Sequence, residues 1–250
     1  EVLAHHQQSQ QGEGHRQHPL SDRHFGVGAD GIYFVLPASG GADAEIRLYN
    51  SDGSRAELSG NGTRCVAAFL AAPAGAHPPE CLRILTGAGL KELRLLGRQE
   101  NRFRFEMRVG PAEIRPGPEG TLDVWLGNPQ CVVFVEHFDF DWPEFGRKLQ
   151  KHPHFPESAN VDFVRAVGPQ MIEARFWERG AGHTLASGTG STASAVAAIY
   201  SGRACSPVVV RTEGGDLEVR WEPAGDAYLT GPAEIICRGD YFWNPDYRPA

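Results

Sequence analysis

The chain has 250 residues, which fits one large domain or two small ones, and its hydrophobic fraction of 41% is ordinary for a globular protein with a core. Its net charge of −7, without any long basic run, argues against nucleic acid as a partner. No stretch approaches the roughly 18 consecutive apolar residues of a membrane-spanning helix, which argues against a membrane partner as well.

The cysteines and the first residues indicate the compartment. The five cysteines are scattered and odd in number, and no pair has metal-ligand spacing, so we expect reduced thiols, no bound metal and a cytoplasmic location. We interpret the Gln/His/Gly-rich segment 7–18 as solvated, because neither a carboxylate nor a Cys framework accompanies its histidines. The chain does not begin with Met, and we expect it to be a fragment whose first strand is missing.

The predicted elements are mostly strands. Short runs rich in β-formers recur along the chain, and residues 102–109 alternate strictly between polar and apolar, as in a strand with one solvated face. In chain order the predicted strands are Ile32–Leu36, Glu45–Tyr49, Arg102–Val109, Leu122–Leu126, Cys131–Val135, Asn160–Val164, Met171–Trp177, Val208–Thr212 and Asp216–Trp221.

Helices are fewer, at residues 62–72, 142–151 and 190–201. The first and the last are apolar nearly all round, which is typical of a buried helix, so we expect strands to wrap round each of them. The Pro/Gly-rich run 116–120 is the natural linker between two halves.

One pattern occurs twice. Ser59-Gly60-Asn61-Gly62-Thr63 returns 128 residues later as Ser187-Gly188-Thr189-Gly190-Ser191, and an alanine-rich run follows each copy. The same offset pairs Arg47 with Arg175 and Tyr49 with Trp177. We therefore predict two similar halves, residues 1–117 with helix 62–72 and residues 118–250 with helix 190–201, with the last strand free to return to the first half.

Each copy is a glycine turn that opens a helix. The unpaired N–H groups and partial positive charge of a helix start suit a carboxylate or phosphate, and glycine lets a ligand approach the backbone. The alternative is that both turns are only helix caps. Two turns in register favour a small anionic ligand. Neither turn is followed by the Gly-Lys-Ser/Thr of a phosphate-binding loop, and neither matches a dinucleotide fingerprint in context.

Polar residues precede both turns at the same position of the repeat. The runs 50–54 and 178–183 end predicted strands, and a buried Glu178 and Arg179 could bind the ammonium and carboxylate groups of an amino acid. They could equally form an ordinary turn and a surface ion pair. Amides at strand ends, in the runs 127–130 and 158–160, offer the donors and acceptors that a zwitterion needs.

Taken together, these runs strongly resemble diaminopimelate epimerase in order and spacing, from about Ser21 to Gly239. The runs that carry the resemblance are Gly26–Gly31, Tyr49–Ser54, Gly60–Cys65, Gly127–Pro129, Ala159–Val161, Glu178–Gly182 and Gly188–Gly190.

The resemblance implies an α+β fold of two pseudo-symmetric halves, each a barrel-like mixed β-sheet wrapped round a central helix. It implies an amino-acid substrate in the cleft between the halves, with no pyridoxal phosphate, other cofactor or metal. By motif match, the side chains of Asn50, Asn128, Asn160, Glu178 and Arg179 would bind the substrate. The backbones of Gly60-Asn61 and Gly188-Thr189 would hold its α-carboxylate.

The chain departs from the family at the two positions that carry the chemistry. The family uses two cysteines, one for each face of the α-carbon, and here those positions are Ser59 and Ser187. A serine hydroxyl is far less acidic than a thiol and needs an adjacent base. Gln130 replaces the usual His after Asn-Pro, and His183 replaces a usual Glu. The family's opening Gly-Asn-Asp-Phe-like strand is also absent.

Three hypotheses follow. The first is a diaminopimelate epimerase, inverting the α-carbon of the LL form to the meso form in lysine and peptidoglycan biosynthesis, with Ser59 and Ser187 as acid and base, helped by Glu178, His183 or the missing N-terminal segment. The second is another cofactor-independent isomerase or a dehydratase acting on a different amino acid. The third is an amino-acid-binding protein without catalysis. The sequence leaves open whether the protein is a homodimer.

Overall fold

The structure is a computed structural model that describes residues 2–5, 20–38, 40–51, 53–74 and 78–242. The polar segment 7–18 and Asp52 lie outside the described residues. The chain forms two compact units, one of Glu1–Phe105 with Pro232–Ala250 and one of Glu106–Gly231.

The first unit is a mixed sheet with one long helix. Its strands are hydrogen-bonded in the order β1-β2-β3-β5-β6-β7, and β4 pairs with β3. The elements are β1 (Val2–His5), β2 (Gly31–Leu36), β3 (Ala44–Asn50), β4 (Arg55–Ala56), α1 (Gly60–Ala71), a 3-10 turn (Ala72–Ala74), β5 (Cys81–Thr86), β6 (Gly89–Gln99) and β7 (Arg102–Pro111), whose last residues belong to the second unit.

The second unit has the order β16-β15-β14-β12-β11-β10-β9-β8, and β13 pairs with β12. Its elements are β8 (Glu113–Pro116), a 3-10 turn (Pro118–Gly120), β9 (Leu122–Trp125), β10 (Pro129–Phe134), α2 (Trp142–Leu149), β11 (Asn160–Gly168), β12 (Met171–Glu178), β13 (Gly182–Thr184), α3 (Gly188–Tyr200), β14 (Val208–Thr212), β15 (Gly215–Trp221) and β16 (Asp226–Glu234), whose end returns to the first unit.

The two units repeat one strand pattern. Strands β1, β2, β3, β5 and β6 pair parallel, antiparallel, parallel and antiparallel, and so do β10, β11, β12, β14 and β15. The register repeats too, because Val2 pairs with Ile32 and Gln130 with Asn160, 128 residues further on. The prediction of a mixed α+β fold with two pseudo-symmetric halves is therefore confirmed.

The first described element, β1, was not among the predicted strands. β1 lies parallel to β2 in the way that β10 lies parallel to β11. The sequence signal was weak, because the strand has four residues and a polar segment follows it. The predicted division at residues 117 and 118 stays a prediction about domains; that linker forms a 3-10 turn inside the second unit.

The central helices are buried because small apolar residues cover them on nearly every side. In α3 every residue from Gly188 to Ala198 is buried, and the helix contacts strands β9, β10, β11, β12, β14 and β15. In α1 Val66, Ala67, Ala68 and Ala71 are buried, and the helix contacts β2 and β5. No helix in the described ranges is long and apolar enough to cross a membrane.

Cysteine reactivity follows from this burial. Cys81, Cys205 and Cys237 are exposed, whereas Cys131 lies in the core, where burial raises the pKa of its thiol to about 12. Because the thiolate is the reactive form, we expect iodoacetamide to label the three exposed cysteines in the native protein and Cys131 only after denaturation. Peptide mass mapping checks this, and native labelling of Cys131 would contradict the packing.

Candidate functional site

Ser59 and Ser187 are the N-caps of the two buried helices. Their backbone angles are nearly identical, with φ −129° and ψ 124° at Ser59 and φ −130° and ψ 126° at Ser187. Ser59 Oγ accepts a hydrogen bond from Gly62 N at 3.2 Å, and Ser187 Oγ accepts one from Gly190 N at 3.1 Å. Each hydroxyl thus satisfies an otherwise unpaired donor of its helix start. Both serines therefore cap their helices, whereas the alternative that the turns serve only as caps stays open.

In the first unit, Asn50 ends β3 and shapes the loop that leads to Ser59. Its Nδ2 donates to Ser54 Oγ at 3.0 Å, and its backbone N donates to Ser54 O at 2.8 Å. Gly60 and Asn61 form the first turn of α1. Among the described residues, no carboxylate is hydrogen-bonded to Ser59 Oγ.

In the second unit, Glu178 ends β12 at the repeat position of Asn50, and here the hydroxyl has a base. Ser187 Oγ donates to Glu178 Oε1 at 2.7 Å, and Thr184 Oγ1 donates to Glu178 Oε2 at 2.6 Å. Strand β13 positions these groups, because it folds back along β12 and pairs Phe176 with Thr184. Both hydroxyls donate to this carboxylate, and a carboxylate within hydrogen-bond reach of a serine can act as its base.

An amide cluster adjoins Thr189, the second residue of α3. Gln130 is 1% exposed, and its Nε2 donates to Asn128 Oδ1 at 3.0 Å and to Thr189 Oγ1 at 3.1 Å. Asn128 Nδ2 also approaches Thr189 Oγ1, at 3.4 Å. Gln130 therefore ties the predicted Asn128 to the glycine turn Gly188-Thr189. It also lines a cavity of about 320 Å³ beside β8 and β9.

The side chain of Asn160 contacts the backbone of Arg179, not its guanidinium group. Asn160 begins β11, and its Oδ1 accepts from the backbone N of Arg179 at 2.8 Å. Arg179 Nη1 donates to Glu157 O at 3.2 Å. His183 is directed elsewhere, because its Nε2 lies 2.6 Å from Glu213 Oε2 and its ring stacks edge-on against Trp142. Among the candidates for helping a serine, Glu178 rather than His183 touches Ser187.

Beneath each glycine turn lies a polar side chain that the sequence did not reveal. A Cβ on Gly190 would lie 2.7 Å from Asp162 Oδ1, and a Cβ on Gly62 would overlap the Tyr33 hydroxyl. Asp162 pairs with Phe176 and Tyr33 pairs with Leu48, and Phe176 lies 128 residues after Leu48. Each polar side chain therefore lies opposite the same strand position of the repeat, although Asp162 itself lies 129 residues after Tyr33. Glycine is therefore required at both helix starts by close packing.

Asp162 is fully buried, and neither carboxyl oxygen has a hydrogen-bond partner. Glu178 lies on the same face, because residues two apart on a strand share a face and Asp162 is opposite Phe176. Burial, and then the charge of Glu178, raise the pKa of Asp162 well above its usual value. Burial and the neighbouring carboxylate therefore both favour the protonated form of Asp162.

We expect the raised pKa of Asp162 to weaken the fold as pH rises. Between the usual Asp pKa of about 3.9 and the raised pKa of Asp162, the folded state binds up to one proton more than the unfolded state, so stability falls by up to about 1.4 kcal/mol per pH unit in that range. Asp162→Asn removes this dependence. Urea unfolding of both proteins from pH 4 to 8 checks it: the stability of the variant relative to wild type should increase with pH. A pH-independent difference would show that Asp162 is ionised in the fold.

In the described ranges, no group of three or more His, Cys, Asp or Glu side chains is placed to hold a metal ion. The sequence did not predict Thr184 or Asp162, because each comes close to its neighbours in the site only through the pairing of strands. Phe34 and Ala56 stand 128 residues before Asp162 and Thr184, so the repeat gave no signal for either residue.

Sequence comparison relates the chain to one family. The model of the diaminopimelate epimerase family matches residues 4–115 and 124–236. The diaminopimelate epimerase of Synechocystis sp. is 38% identical over 243 residues, covering 88% of this chain and 86% of its own length. That of Pelotomaculum thermopropionicum is also 38% identical, covering 89% and 86%.

Solved structures share the fold at low identity. A predicted epimerase from Pseudomonas aeruginosa superimposes with a TM-score of 0.68 and 18% identity, covering 94% of this chain and 93% of its own. A hydroxyproline epimerase from Agrobacterium vitis gives 0.65 and 16%, covering 90% and 80%. The fold resemblance and the sequence resemblance therefore agree, and the chain belongs to the diaminopimelate epimerase family.

Proposed function

We propose that this protein is a cofactor-independent amino-acid epimerase that inverts the α-carbon of LL-diaminopimelate to the meso form. The family membership supports the substrate, and the hydrogen bond from Ser187 Oγ to Glu178 Oε1 supports the chemistry. That bond supplies what a serine in place of a cysteine requires, which is a base within hydrogen-bond reach.

The proposed proton removal uses Ser187 and Glu178 as one unit. Ser187 Oγ takes the α-proton, so the Cα–H bond breaks and an O–H bond forms, while the original hydroxyl proton passes to Glu178 Oε1. The electron pair left on the α-carbon delocalises into the α-carboxylate. Ser59 is proposed to return a proton to the other face, forming a Cα–H bond and drawing its replacement proton from solvent. Glu178 releases the proton that it took to solvent, which restores the base for the next turnover.

The glycine turns are proposed to hold the α-carboxylate whose charge grows during this step. The backbones of Gly60-Asn61 and Gly188-Thr189 supply helix-start N–H groups. Asn50, Asn128, Asn160 and Arg179 are proposed to bind the polar groups of the substrate. Gln130 is proposed to orient Asn128.

A cytoplasmic location in lysine and peptidoglycan biosynthesis belongs to the same proposal, because it depends on the substrate. A homodimer stays a prediction that solution scattering can check.

The test is α-deuterium exchange in D2O, followed by NMR on LL- and meso-diaminopimelate. We expect exchange above the enzyme-free rate, with the two isomers interconverting, and no exchange by a Ser59→Ala/Ser187→Ala double variant. Wild-type exchange at the background rate would reject epimerisation. Calorimetric binding without exchange would identify an amino-acid-binding protein.

A one-base reaction on another amino acid is the second candidate, and the asymmetry of the two serines favours it. Ser187 has Glu178, whereas Asn50 holds the corresponding position near Ser59. Isomerisation or loss of water from a hydroxylated amino acid needs one strong base. A substrate panel with hydroxyprolines separates the candidates: turnover of hydroxyproline but not diaminopimelate would favour this second function.

A further inference from the structure

Arg64 is a buried cation just after the glycine turn of the first unit. The second unit has no arginine at the repeat position, and the proposed chemistry gives Arg64 no role. The residue is 2% exposed. Its Nη2 donates to Asn61 Oδ1 at 2.8 Å, its Nη1 to Gly60 O at 3.2 Å, and its Nε to Pro232 O at 3.2 Å.

Helical geometry explains why Arg64 reaches these groups. Residues three and four positions apart lie on one face of a helix, and long side chains point back towards the N-terminus. Arg64 therefore runs along α1 to its first turn. There it contacts Gly60 and Asn61, the two residues proposed to hold the α-carboxylate.

The guanidinium also decides how Asn61 is oriented. Arginine has donors only, so the side-chain oxygen of Asn61 must face Arg64, and the amide NH2 is directed away from it. The contact with Pro232 fixes the same guanidinium to the returning end of β16, 168 residues away in sequence. Arg64 thus holds a donor group of the glycine turn in one orientation.

The second unit has no equivalent charge. Thr192 occupies the position 128 residues after Arg64, and its Oγ1 donates to Gly188 O at 2.8 Å. Burial lowers the pKa of Arg64 to about 10, so the guanidinium still carries its positive charge at neutral pH. The first turn therefore has a formal charge beside it, whereas at the equivalent position of the second turn there is a neutral hydroxyl.

We propose that Arg64 is a positioning residue that makes the first-unit glycine turn the stronger carboxylate-binding turn of the two. It does so by orienting Asn61 and by placing a buried positive charge within one turn of the helix start. This inference rests on the proposed function, since it assumes that the α-carboxylate binds at these turns.

Calorimetric titration with LL-diaminopimelate tests the proposal without depending on turnover. Arg64→Met keeps a long side chain and removes its charge and its hydrogen-bond donors. Arg64→Lys keeps the charge but not the planar guanidinium group with its several donors. Hydrogen bonds to charged groups are worth about 1.5–3 kcal/mol, so we expect Kd to rise about 10- to 100-fold in Arg64→Met and less in Arg64→Lys.

A double-mutant cycle with Asn61→Ala separates positioning from general damage. If Arg64 acts through Asn61, Arg64→Met should weaken binding less in the Asn61→Ala background than in the wild type. Val66→Ala is the matched control, because Val66 is fully buried on the same helix and its truncation lowers stability without removing a charge or a hydrogen bond. We expect its Kd to stay within about twofold of wild type.

The outcomes are distinguishable. Absence of binding by wild type would reject the proposed function and, with it, the role of Arg64 in binding. Wild-type affinity in folded Arg64→Met would overturn the role of Arg64 while the proposed function stands. Should Arg64→Met fail to fold, Arg64→Lys decides: unchanged affinity there, or equal losses with Val66→Ala, would also overturn it.

Discussion

Replacing Ser59 and Ser187 together with cysteine should raise the rate of α-proton exchange by about 10²-fold or more. A free thiol has a pKa near 8.5, and a helix N-terminus lowers it further, whereas a serine hydroxyl does not ionise at neutral pH. Both hydroxyls accept a helix-start N–H, from Gly62 and from Gly190, and a thiolate at the same position would accept it too. Exchange in D2O with saturating diaminopimelate measures the effect.

The control for this gain is a cysteine that lies away from the helix starts. Ser201→Cys, just after α3, adds a thiol without an N-terminal environment, and we expect no change in rate. The single variants should each gain less than the pair, because epimerisation needs a group on each face. A double variant that folds and binds substrate but exchanges no faster would show that these two positions do not meet the α-proton.

The second large effect is expected for Glu178→Gln, which should lower exchange by about 10²- to 10⁴-fold. The amide keeps the size of the side chain, and its oxygen can still accept from Ser187, but it cannot take a proton. Because Glu178 is also a proposed ligand for the substrate, the exchange rate at saturation must be compared with Kd. We expect the rate to fall far more than the affinity.

Thr184→Val is the matched control for Glu178, because it removes the other hydroxyl donor and leaves the carboxylate. Its effect should be small, about tenfold or less, since one charge-assisted hydrogen bond is lost. Equal losses in the two variants would mean that Glu178 acts only by packing. A Glu178→Gln protein within threefold of wild type would remove Glu178 from the mechanism.

Strand prediction succeeded where alternation was clean and failed where charged residues interrupted it. Val208–Thr212 has the predicted bounds, and β7 extends its prediction by two residues. Strands β5 and β6 were missed, although they form a hairpin, because charged residues and glycines interrupt the leucines of Gly89–Gln99. Here pairing with neighbouring strands, rather than side-chain pattern, selects the structure.

The helix starts, by contrast, could be read directly. Capping involves residues three apart, so Ser59 with Gly62 and Ser187 with Gly190 form a local signal that any fold must respect. The three predicted helices all occur, at Gly60–Ala71, Trp142–Leu149 and Gly188–Tyr200. The repeated turn also predicted the repeated topology, because similar sequences before similar helices favour the same order and direction of strand pairing.

By itself, then, the sequence determined the repeat, the two capped helix starts and the family. Only the tertiary structure decided which side chains meet at each turn: Glu178 at Ser187, Asp162 beneath Gly190, and Arg64 against Asn61 and Pro232. The physical reason is the distance along the chain over which each kind of contact forms. Caps and turns form between near neighbours, whereas cross-strand contacts and buried charges depend on how distant segments pack, and one sequence pattern is compatible with many such packings.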